Sequence, residues 1–118
     1  DNMSAVMQII LQDKKRFGGT KIEYPYRKET NEKFKVKIEH HRKTDSCCIA
    51  YFVKGGIRES IGKKIAELCR RYGINYGFIY LGEQDMLHLH KLPANKYGLK
   101  FLAKIDEFLG LPAAKLEK

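Results

Sequence analysis

The most regular pattern in the chain lies at residues 33–41, Lys-Phe-Lys-Val-Lys-Ile-Glu-His-His, where apolar and polar positions alternate with the period of two that an extended strand imposes. In such a strand Phe34, Val36 and Ile38 face a core, and Lys33, Lys35 and Lys37 form a row of positive charge on the other side. Residues 20–27 alternate Ile22, Tyr24 and Tyr26 with Lys21, Glu23 and Arg27, and Pro25 points to an edge position or a bulge. Residues 47–54 are apolar on both faces, which predicts a strand nearer the sheet centre. Helical spacing appears three times. It places Val6, Met7, Ile10 and Leu11 on a helix over residues 3–16 that ends at Gly18-Gly19. Ile57, Ile61, Ile65 and Leu68 form the stripe of a second helix ending near Gly73. A third helix follows Pro93, with Leu99, Leu102, Ile105, Phe108 and Leu109 inward, and stops at Gly110-Leu111-Pro112. Residues 28–32 read as a polar turn, and residues 76–81 and 86–91 as a hairpin around a turn at 82–85. The order α-β-β-(β)-α-β-β-α predicts an α+β fold, with an antiparallel sheet, helices on one face, and the opposite face free to bind.

Composition narrows the class of partner. The 118 residues contain no repeat and no linker, so residues 1–118 read as a single domain. Cys47, Cys48 and Cys69 are an odd number without Cys-x-x-Cys spacing, which indicates neither a disulfide framework nor a zinc ribbon. An intracellular compartment, whether cytoplasm, nucleoid or organelle, is therefore expected. No stretch approaches the roughly 18 apolar residues of a membrane span, so a membrane partner is not expected. The net charge of +9 makes a polyanion the natural partner, nucleic acid and in particular double-stranded DNA. Lys21, Arg27, Lys33, Lys35, Lys37, His88, His90 and Lys91 are the candidate contacts. Lysines on a strand also protect a sheet edge from aggregation, so the pattern by itself carries both meanings.

The stretch "IAELCRRYGINYGFIYLG" running into "MLHLHKLPANKYGLKFLAKIDEFLGL" resembles the second half of a LAGLIDADG homing-endonuclease domain: helix, Gly-Ile turn, hairpin, then a helix with a Leu-Phe-Leu pattern. The resemblance implies an antiparallel, saddle-shaped sheet whose concave face enters the DNA major groove, with helices on the back. It also implies a homodimer or a second domain to cover a pseudo-palindromic site. The departure falls on the chemistry. The family's signature helix ends in an acidic residue followed by glycine, which places a carboxylate on a divalent metal, Mg or Mn. Here Gly18 precedes the last glycine, and aligning Asp13 instead leaves Lys14 in the glycine's place. The resemblance then implies a module that keeps binding and has lost cleavage, with Asp13 as the remaining metal candidate.

His88-Leu89-His90 adds a second constellation, since period-two geometry turns both imidazoles to one side of a strand, where they could grip a divalent metal. The triplet resembles the metal site of HUH nickases, and Tyr97-Gly-Leu-Lys100 resembles their Tyr-x-x-Lys motif, although Tyr97 lies only seven positions after His90. His40-His41 and Cys47-Cys48 are adjacent pairs whose side chains diverge in a strand, so neither pair chelates. Three function classes follow: a DNA-binding module, a metal-dependent DNA endonuclease or nickase using His88 and His90, and an interaction domain for an acidic protein.

Overall fold

The structure is a computed structural model that describes residues 15–17, 20–23, 27–112 and 115–117. In chain order its elements are β1 (Lys15–Phe17), β2 (Thr20–Glu23), α1 (Lys28–Lys33), β3 (Phe34–His41), β4 (Ser46–Lys54), α2 (Glu59–Tyr72), β5 (Asn75–Tyr80), β6 (Gln84–Pro93), α3 (Lys96–Leu109) and β7 (Lys115–Glu117). The main sheet is antiparallel with strand order β3-β4-β6-β5, and a small antiparallel sheet has the order β1-β2-β7. This is the expected α+β domain.

Alternation along the strands decides which face is core. Phe34, Val36, Ile49, Tyr51, Val53, Leu87 and Leu89 lie on one face of the main sheet and pack with Ile65 and Cys69 of α2 and Phe101, Leu102 and Ile105 of α3. Each fully buried Ile or Leu stabilises the fold by roughly 2 kcal/mol relative to exposure. β4 is central and apolar on both faces, as its composition requires. The buried Tyr51 hydroxyl donates to the Asp106 carboxylate at 2.6 Å, which ties the middle strand to α3 through a satisfied polar pair.

The helices begin and end where the local chemistry directs. Asn95 caps α3, its side-chain oxygen accepting from the backbone N–H groups of Tyr97 at 3.0 Å and Gly98 at 3.2 Å. Gly73 closes α2 in the left-handed region at φ 68°, which lets the Ile74 N–H return to the Cys69 carbonyl at 2.8 Å. The β4–α2 connection is held by Asp85, whose carboxylate accepts from the Ile57 N–H at 2.7 Å.

Several expectations change. The helix expected over residues 3–16 lies outside the described residues up to position 14, and residues 15 and 16 belong to β1. Residues 28–32 are helical rather than a turn. Their sequence, Lys-Glu-Thr-Asn-Glu-Lys through position 33, has helix-forming residues without an apolar stripe, and Thr30 and Asn31 are its buried positions. Lys33 is consequently the last residue of α1, not the first of the strand. Of the strand expected over 20–27, β2 covers Thr20–Glu23, and positions 24–26, with Tyr24 and Tyr26, lie outside the described residues. Leu99 and Phe108 are half-buried, while Phe101, absent from the expected apolar set of α3, is buried.

Candidate nucleic-acid interface

The face of the main sheet away from the helices is built from the other half of each alternation. The register sets its side chains in rows across the strands. Lys35, Phe52, Met86 and Ile79 make one row; Lys37, Ala50, His88 and Gly77 make the next. Beyond them Glu39 pairs with Cys48, His90 with Asn75, and Lys54 with Gln84. Positive charge therefore runs along β3, while the centre carries imidazoles, an amide and half-buried apolar side chains. Small residues flank His88 on both sides, and a side chain built on Gly77 would meet nothing within 4 Å, so the surface beside this imidazole is open.

One end of the face is re-aimed by an irregularity. Cys47 opposes Leu92 and Ile49 opposes Leu89, so β6 carries one extra residue at this point. Lys91, in the bulge, takes a left-handed backbone at φ 56°, uncommon for a residue with a side chain. It lines a cavity of about 310 Å³ with His41, Arg42, Lys43, Thr44, Ser46 and Cys48. The β3–β4 turn thus brings Arg42 and Lys43 beside Lys91. Neither turn cation was singled out from the sequence; the signal available was their adjacency to the basic strand within one hairpin.

The expected site residues divide into groups. Lys35, Lys37, His88 and His90 share the open face, and Lys91 sits at its end. Lys33 does not join the row. It lines a different cavity of about 370 Å³ on the helix side, where Lys54 and Arg58 surround Val53, Ile57 and Phe108, and its ammonium lies 5.2 Å from the Phe34 ring centroid. Lys21 belongs to β2 of the small sheet, opposite Arg16 and Glu117. Arg27 precedes α1 and is exposed. Asp13 lies outside the described residues.

His88 Nδ1 and His90 Nε2 are 3.3 Å apart. Among the described residues no group of three or more His, Cys, Asp or Glu side chains gathers at a spacing suited to a metal ion. Tyr97 lies in the first turn of α3, which packs on the opposite face of the sheet from the two histidines, so the elements of the nickase constellation are not brought together. No helix among the described residues is long and apolar enough to cross a membrane.

A scan against protein-family models gives no match, and no curated protein and no solved structure is significantly similar to this chain.

Proposed function

We propose that the open face of the four-stranded sheet binds double-stranded DNA. Lys35, Lys37, Arg42, Lys43 and Lys91 meet phosphates, and the polar side chains of β6 and β5, Gln84, His88, His90 and Asn75, lie against base edges. The observation that carries this reading is the gathering of five cations along one edge and one end of a single sheet face. None of them is held by a carboxylate among the described residues. Among the described residues the helices pack on one side of the main sheet, which leaves this face available. The resemblance of the C-terminal half to a homing-endonuclease module points to the same use of the sheet.

Fluorescence anisotropy of a labelled duplex at several salt concentrations tests the proposal. Five phosphate contacts release counterions such that log affinity falls with log salt at a slope of about 4 to 5. Changing Lys35 and Lys37 together to Ala lowers that slope by about 2. A salt-independent signal, or a double variant indistinguishable from wild type, would overturn the assignment.

A further inference from the structure

The two edges of the main sheet are built differently. The β3 edge carries Lys35, Lys37 and Glu39 and has β1 lying against it. The β5 edge has none of the devices that usually discourage pairing with another strand, such as an edge lysine, a proline or a bulge. Residues 73–82 are ten consecutive positions without a charged side chain, in a chain where 31% of residues are charged. Among the described residues β5 pairs with β6 alone, which leaves its outer row of backbone donors and acceptors open. Ile79, Tyr80 and Leu81, consecutive in sequence, are 45%, 69% and 58% exposed.

We propose that β5 is a self-association edge, where a second copy of this chain adds antiparallel to form a continuous eight-stranded sheet. Antiparallel addition of a strand to its own copy is self-complementary, because every backbone bond given across a two-fold axis is returned. Charge selects this occupant. Two chains of net charge +9 repel wherever lysines meet, so an uncharged strip is where copies can approach. An acidic peptide, by contrast, is drawn to the cavity lined by Lys33, Lys54 and Arg58 rather than to a neutral edge.

Geometry fixes the register further. Residues directly opposite in a sheet share a face, so a two-fold axis perpendicular to the sheet passes beside a residue paired with its own copy. An axis at Phe78 gives the pairing that uses all of residues 75–81. It sets Ile79 against Gly77 of the second copy, where a side chain would otherwise meet nothing within 4 Å. It sets Tyr80 against Tyr76 of the second copy on the helix side. The axis also keeps both open faces on one side of the joined sheet. Only the use of that joined face rests on the DNA reading; the pairing itself does not.

Sedimentation and light scattering on the DNA-free protein test the pairing across concentration and salt. The expected result is a species of twice the 13.7 kDa chain mass. It should become more populated as salt screens the repulsion between copies. DNA binding responds to salt in the opposite direction, so the two readings fail separately. Ile79→Lys places a charge on the edge at an exposed position and should give a monomer, whereas Tyr97→Lys, exposed on α3, should leave association unchanged. Should Ile79→Lys alter the fold by circular dichroism, amide exchange on the wild type decides, with β5 amides slowing as concentration rises. A monomer under all conditions, association untouched by a folded Ile79→Lys variant, or β5 exchange that does not change with concentration overturns the proposal.

Discussion

Cys69 shows how strongly a single buried position is set by its surroundings. Burial pushes its thiol up from 9.0 to about 11, against the neighbouring Arg70 guanidinium, which acts to lower it. The folded chain therefore keeps this proton at a pH where the unfolded chain has released it. The resulting stabilisation is fully present below about pH 9 and is lost as pH rises toward about 11. Urea unfolding of wild type and Cys69→Ala measures the effect. The variant is less stable at neutral pH because it leaves a cavity, and the difference between the two proteins should shrink across that alkaline window. A difference that stays constant with pH would show that the thiol does not titrate with unfolding. Asn31 is a contrasting buried residue: among the described residues its amide nitrogen and oxygen have no hydrogen-bond partner.

Packing between elements depends most sharply on Gly98. A β-carbon there would clash with the Pro93 carbonyl oxygen and lie 2.8 Å from the Phe17 ring, so α3, the end of β6 and β1 meet where only hydrogen fits. Gly98→Ala should lower unfolding free energy by about 3 kcal/mol, a cost set by backbone that cannot yield as a side chain does. Thermal or urea denaturation checks this, and a loss within a few tenths of a kcal/mol would mean the three elements move apart freely. The sequence near Gly98 suggested chemistry, a Tyr-x-x-Lys motif, whereas the glycine serves packing. Elements with an apolar period, such as α2, α3 and β3, were legible because the period itself is a tertiary constraint, and β4 because an apolar run on both faces marks a central strand. α1 was not, since it has no apolar stripe and owes its helix to a short local run; Lys33 was therefore assigned to the wrong element. The small sheet joins residues 15–23 to 115–117, a pairing of distant segments that no local pattern encodes. On the open face Lys35, Lys37, His88 and His90 were readable from alternation alone, but Lys91 needed the β6 bulge to find Arg42 and Lys43.

At the scale of the whole molecule, the position of charge matters more than its sum. Among the described residues, ion pairs between permanently charged side chains all lie on the helices: Lys63 with Glu59 at 3.2 Å, Arg71 with Glu67 at 3.4 Å and Lys104 with Glu107 at 3.8 Å. Among the described residues the cations of β3 and the β3–β4 turn have no such partner, so the sheet side carries positive charge not held in ion pairs. Lys33 separates a specific surface from a general attraction of polyanions to a basic protein, because it adjoins Lys35 in sequence but lies on the helix side. Counterion release counts the cations that lie against phosphate, not the total charge. Lys33→Ala should therefore leave the salt slope of duplex binding unchanged, while Lys35→Ala and Lys37→Ala each lower it by about one. All three substitutions remove the same formal charge, so equal losses would mean that DNA responds to the net field and that the open face is not its site.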